Sequence, residues 1–217
     1  EWQEVADSGL QIRRIRILGG EPLLHPELGF MLHCLKCLFP NTDINVVTNG
    51  ILLGQKKAEL LPIFVGNNIS ITVSCYPGLS LNYNELLRGF PKTELYNKAG
   101  FWNISLHENP DFPVEDFYSC FSASMVKCNF LKDGRIYPCC VIPNLPHFFN
   151  YFKEMATSNL ANIPLENGSI SVKDHTPEEI ERFVNTPNEF CAHCNVRRAI
   201  EAHPWKQTEY NIKQWME

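Results

Sequence analysis

The chain has 217 residues, is 44% hydrophobic, and carries 19 basic against 24 acidic side chains for a net charge of −5. That is enough apolar mass for one large domain or two small ones, and an acidic balance with no basic block lacks the footprint of a nucleic-acid binder. The longest apolar runs, such as "LLPIFVG", fall far short of a membrane span, and the opening "EWQEVADSGL" does not read as a secretory leader, so reducing cytosol is the expected compartment.

The first half alternates between two periods. "QIRRIRILGG" reads as a strand carrying Ile12, Ile15 and Ile17 and stopped by Gly19-Gly20. "PELGFMLHCLKCLF" follows with Leu28, Met31, Leu32, Leu35 and Leu38 near a 3.6-residue period, which predicts a helix. Strand "DINVVTNG", a helix across "GQKKAELLPIF" weakened by Pro62, and strand "ISITVSC" broken at Pro77-Gly78 come next. A helix over "NYNELLRGF" and a strand over "GFWNISL" close this half. Strands separated by helices with short connections imply parallel pairing, and ligands in such folds gather at the carboxyl ends of the strands. That order places "GGEP", "TNG" and "SCYPG" on one rim.

Beyond about residue 112 the composition shifts to prolines, aromatics and cysteines. "VKCNFL" and "RIYPCC" flank "KDG", a hairpin whose Asp133-Gly134 suits the positive φ of a tight turn. "HTPEEIERFVN" is a marked helix start, with Thr176 as cap, Pro177 in the first turn and Glu179 closing a capping box.

Nine cysteines, an odd number clustered toward the C-terminal half, argue for metal ligands and buried thiols over a disulfide framework. Cys191 and Cys194 form a C-x2-C just past the last helix, while Cys120, Cys128, Cys139 and Cys140 flank or end the hairpin. Loops of this kind let four sulfurs converge, and such a set accepts zinc as readily as a [4Fe–4S] cluster. Cys75 and one of Cys139 and Cys140 are expected to be buried free thiols. Cys34 and Cys37 lie inside the amphipathic helix and are expected to fill core. His193 reads as a solvated residue between two ligands and His25 as a local cap.

At the first strand end, Gly19 and Gly20 allow backbone to approach a ligand, Glu21 presents a carboxylate to the same space, and Pro22 stiffens the exit. The set suits a ligand bearing an ammonium group. A plain strand-to-helix turn with an acid at a helix dipole fits the residues equally well.

Here the sequence resembles the radical S-adenosylmethionine (SAM) enzymes. "GGEPLLHPEL" matches their second-strand motif, "VVTNG" looks like the end of their third strand and "ITVSC" like their fourth. The resemblance implies that the Gly19-Gly20 backbone and Glu21 hold the methionine amino group of SAM. By position Gly19, Gly20, Glu21 and Pro22 are the strongest cofactor-site matches, and Asn49 and Ser74, the latter toward the ribose or carboxylate, are weaker ones. The C-terminal part is similar to the SPASM and twitch auxiliary-cluster modules of that superfamily. Their order of a cysteine, a hairpin with Gly-x4-Cys and a later C-x2-C is met by Cys120, Gly134, Cys139, Cys191 and Cys194, with Cys128 competing with or supplementing Cys120. The resemblance thus favours an auxiliary [4Fe–4S] cluster, with zinc as the alternative.

The implied architecture is α/β: a partial radical SAM (β/α) barrel over residues 1–111 and a small hairpin-plus-helix cluster domain over 112–217. The superfamily's defining C-x3-C-x2-C precedes the second-strand motif, and this chain has no cysteine before Cys34. The expectation is therefore a piece of a longer enzyme, or a degenerate relative, inactive as it stands. In full-length form it would reductively cleave SAM and abstract a hydrogen atom from a small-molecule or peptide substrate, using an electron donor and neither nucleic acid nor membrane. Two other readings stand beside it. One is a non-catalytic zinc- or iron–sulfur-binding module with a vestigial cofactor pocket. The other is a thiol redox protein using Cys191 and Cys194, which requires an exposed cysteine of low pKa.

Overall fold

The computed structural model describes residues 1–97, 100–102, 105–196, 202–204 and 212. Helix α1 (Trp2–Asp7) opens the chain. Two compact units follow: residues 10–97 with Trp2, and the described residues from Gly100 onward with residues 1 and 3–9.

The first unit is a parallel sheet of four strands in the order β1 (Arg14–Ile17), β2 (Asp43–Thr48), β3 (Ser70–Cys75) and β4 (Lys92–Asn97). Helices α2 (Leu28–Leu38), α3 (Leu53–Asn67) and α4 (Tyr83–Leu87) connect them. The register pairs Ile15 with Ile44 and Val46 with Ile71, so the pleat sends Ile15, Ile44, Val46, Ile71 and Val73 to one face. All five are buried, as are Leu28, Leu32 and Leu35 of α2 and Leu53, Leu60 and Phe64 of α3. Pro62 does not break α3, which runs through it to a left-handed cap at Asn68.

The opposite face is polar. Arg14 Nε donates to Asp43 Oδ2 at 2.6 Å, and Ser70 Oγ donates to Asp43 Oδ1 at 3.3 Å. Asn45 Nδ2 donates to Ser70 Oγ at 2.9 Å and to Thr72 Oγ1 at 3.1 Å, while Thr72 Oγ1 donates to Glu94 Oε2 at 3.0 Å. Arg14 Nη2 lies 3.9 Å from Glu94 Oε1, which closes a circuit through all four strands. Parallel sheets are ordinarily apolar on both sides. This one is built as a wall with one apolar and one hydrogen-bonding surface. The mixed α/β class with parallel strands agrees with a partial β/α fold, and the four strands form an open sheet.

In the second unit the "GFWNISL" stretch contributes β5 (Gly100–Trp102) and β6 (Ser105–Leu106). The expected hairpin is present as β7 (Phe130–Lys132) and β8 (Arg135–Tyr137), turned by Asp133 and Gly134 at φ 53° and 70°. Helix α5 (Leu145–Tyr151) follows, β9 (Ile170–Ser171) joins β8, and α6 (Pro177–Val184) carries the capping box between Thr176 and Glu179. β10 (Cys194–Asn195) pairs with β6, and β11 (Ala202–Pro204) with β5. An apolar cluster of Leu106, Tyr137, Ile142, Leu145, Leu160 and Phe190 forms the core, with Cys139 and Cys194 packed against it. No helix among the described residues is long and apolar enough to cross a membrane.

Candidate cofactor rim and thiol cluster

At the carboxyl end of β1 the chain turns sharply. Gly19 adopts φ +155°, where side chains are rarely found, and a Cβ on Gly19 or Gly20 would meet no atom within 4 Å. The glycines therefore border open space; no packing demand explains them. Glu21 then caps a short 3-10 turn (Pro22–Leu24), with buried Pro22 at its first position.

Three donors hold the Glu21 carboxylate. Oε1 accepts the Leu23 N–H at 3.1 Å and the Thr48 hydroxyl at 2.6 Å, and Oε2 accepts the Asn49 N–H at 2.9 Å. The ends of β1 and β2 are thus tied together, as the expected common rim requires. Thr48, which the motif reading passed over, is almost fully buried and accepts the Gly50 N–H at 3.0 Å. Gly50 needs its own lack of a side chain: its φ is +80°, and a Cβ there would stand 2.9 Å from Val73 Cγ1. Asn49 serves the rim through its backbone, while its side-chain Oδ1 accepts the Ile51 N–H at 2.9 Å and steadies the entry to α3. Ser74 is buried near the end of β3, on the polar face of the sheet by its register with Tyr96.

The thiols of the second unit share one neighbourhood. The Cys120 Sγ accepts the Ala123 N–H at 3.5 Å and so caps a π-helical turn, Phe121–Met125. Cys128 follows Lys127, at φ 51°, and donates its N–H to Ser122 O at 2.9 Å. Phe130 pairs with Tyr137 at the open end of the hairpin, two residues after Cys128 and two before Cys139. Cys191 lies in the 3-10 turn Glu189–His193, its N–H donated to Asn188 O at 2.9 Å, and Cys194 opens β10.

Electrostatics report the crowding. Burial pushes the Cys139 thiol from its ordinary 9.0 up to about 12, with Cys140 and Cys120 adding to the rise. Burial likewise raises Cys194, helped by Cys139, Cys120 and Cys191, and raises Cys191, helped by Cys120. Cys140 is raised by burial and then by Cys128 and Cys120, while a hydrogen bond with Ser122 acts in the opposite sense. Cys120 is the hub, within electrostatic range of Cys139, Cys140, Cys191 and Cys194. The sulfurs still do not meet at a point: among the described residues no three ligating side chains stand close enough to hold a metal ion. Several soft donors that raise one another's pKa are nonetheless a set that a bound cation would stabilise as thiolates.

Three sequence expectations change. Cys37 is exposed, so it does not fill core; its Sγ lies 3.7 Å from His33 Nε2 one helical turn earlier, and Cys34 is only half-buried. The 3.6-residue register leaves Cys37 on the outer side of α2, whose buried stripe is Leu28, Leu32 and Leu35. His193 is buried rather than solvated, its Nδ1 3.0 Å from His107 O, because β6 runs beside β10. Cys191 and Cys194 are both half-buried with raised pKa values, the opposite of what a redox thiol pair requires. His25 behaves as expected, accepting the Glu27 N–H on Nδ1 at 3.1 Å.

A 65-residue stretch is 34% identical to a GTP 3′,8-cyclase of Chlorobaculum tepidum, covering 30% of this chain and 20% of that protein. A 52-residue stretch is 42% identical to a GTP 3′,8-cyclase of Microcystis aeruginosa, covering 24% of this chain and 16% of that protein. The similarity supports the radical SAM superfamily. It extends over a fifth or less of either relative's length. No family model matches the chain.

Proposed function

We propose that this chain is part of a radical SAM iron–sulfur enzyme whose first unit binds SAM at the Glu21 rim and whose second unit binds an auxiliary cluster. The observation that carries the reading is the Glu21 carboxylate, oriented from two strand ends beside the open space at Gly19-Gly20. A fixed anion at the carboxyl edge of a parallel sheet matches a ligand with an ammonium group. When bound, SAM supplies the radical chemistry of the superfamily. The residues present fit it: Glu21 would take the ammonium group, the Gly19-Gly20 backbone would lie against the methionine moiety, and Ser74 would offer a hydroxyl from the polar sheet face.

In the second unit Cys120, Cys139, Cys191 and Cys194 would hold the [4Fe–4S] cluster by drawing together around it, with Cys128 competing with Cys120 as first ligand or supplementing it. The buried apolar surroundings of Cys139 and Cys194 would keep water from it and help set its potential. The roles of residues 1–111 and 112–217 in cofactor and cluster binding belong to this proposal, as do the full-length protein's substrate and electron donor.

Anaerobic reconstitution followed by iron, sulfide and zinc analysis with an optical spectrum tests the reading. Iron and sulfide in equal amounts with a broad charge-transfer band would support it. Zinc alone at the thiols, with no affinity for SAM, would favour the non-catalytic metal-binding module.

A further inference from the structure

We infer that Thr48 is a positioning residue that makes the Glu21 carboxylate a receptor for a single N–H donor; this rests on the SAM-binding reading of the rim. A carboxylate offers about four lone-pair positions, two on each oxygen. Oε1 has both filled, by the Leu23 N–H and the Thr48 hydroxyl, and Oε2 has one filled, by the Asn49 N–H. Among the described residues one position, on Oε2, is left.

That count sets ligand chemistry. A guanidinium or amidinium fork needs a free position on each oxygen and is refused, because Oε1 has none. An ammonium group needs one and is accepted. Thr48 controls the outcome because it is the only side chain among the three donors. Its hydroxyl is directed: it accepts the Gly50 N–H at 3.0 Å, which commits its single proton to Glu21 at 2.6 Å. Thr48 is nearly fully buried, so water does not substitute for it. Removing the hydroxyl frees a position on Oε1 and releases the carboxylate from β2 on that side, so the remaining acceptor is no longer aimed.

The test is a thermodynamic cycle read by calorimetry on the intact chain. The probes are S-adenosylhomocysteine and its analogue lacking only the α-amino group. The wild type should bind the amino-bearing probe more tightly. Thr48→Val should weaken that probe about tenfold while leaving the deaminated probe within about twofold, and Thr48→Ser, which keeps the hydroxyl, should restore the wild-type difference. Equal weakening of both probes by Thr48→Val, or no recovery in Thr48→Ser, would show a merely structural threonine and overturn the inference alone. A wild type indifferent to the amino group would overturn the SAM-binding reading and Thr48's role with it.

Discussion

The backbone N–H of Asn49, at the end of β2, donates to the side chain of Glu21, at the end of β1, across 2.9 Å. The two residues are 28 apart in sequence, and this bond acts with that from Thr48 to fix the acid at the sheet edge. Glu21→Gln replaces one acceptor oxygen by an NH2 group, so a Thr48 or Asn49 donor loses its partner or faces another donor. SAM affinity should fall at least tenfold, and stability by about 1–3 kcal/mol, the cost of a buried hydrogen-bonding group left unpaired. Calorimetry and a thermal melt read the two effects separately, and unchanged affinity would count against the assigned role.

Cys191→Ala should abolish auxiliary metal loading, because Cys191 is one of the four thiols proposed to hold the cluster. Elemental analysis after reconstitution is the check. Full iron or zinc content in the variant would refute the ligand assignment.

The raised thiols fix the sign of a pH effect. Cys139 has an ordinary pKa of 9.0 and a folded value of about 12, so above pH 9 the unfolded chain releases a proton that the folded chain retains. Its contribution to stability is therefore complete below pH 9 and is lost as pH rises toward 12. A metal-free chain should show a falling denaturation midpoint across that window, with a smaller fall in Cys139→Ala. Metal binding displaces the same protons, so apparent metal affinity should rise from pH 7 to pH 9 while protons appear in the medium.

Asn45 joins two hydroxyls of β3 from the middle of the sheet and is fully buried. Asn45→Leu should cost about 1–3 kcal/mol in chemical denaturation, because the hydroxyl oxygens of Ser70 and Thr72 each lose their Asn45 donor while their own protons stay on acceptors such as Asp43 and Glu94. Asn45→Asp would place a third carboxylate beside those of Asp43 and Glu94 and should be more damaging above neutral pH than below it. A loss that did not depend on pH would argue against charge as the cause.

Much of this was written locally. The period change between "RIRI" and "LGFMLHCLKCL" marks strand and helix because burying one face of each needs apolar residues at 2.0 and 3.6 spacing. Asp133-Gly134 announces its turn by backbone sterics, and Thr176 with Glu179 announces a helix start by satisfying free N–H groups. Strand β4 was not legible, because all six residues of "KTELYN" are exposed and carry no apolar alternation. The Glu21 motif was legible as a motif, since its glycines and acid are adjacent in the chain.

Which atoms meet which was settled only by the tertiary structure. Parallel pairing brought Thr48 and Asn49 to Glu21, and strand pairing placed His193 in the interior that its spacing between two cysteines had not revealed. Local sequence determined the elements because propensity, caps and periodicity act over a few bonds. The rim and the thiol neighbourhood needed the fold, because hydrogen bonds and charge repulsion act through space between residues tens of positions apart.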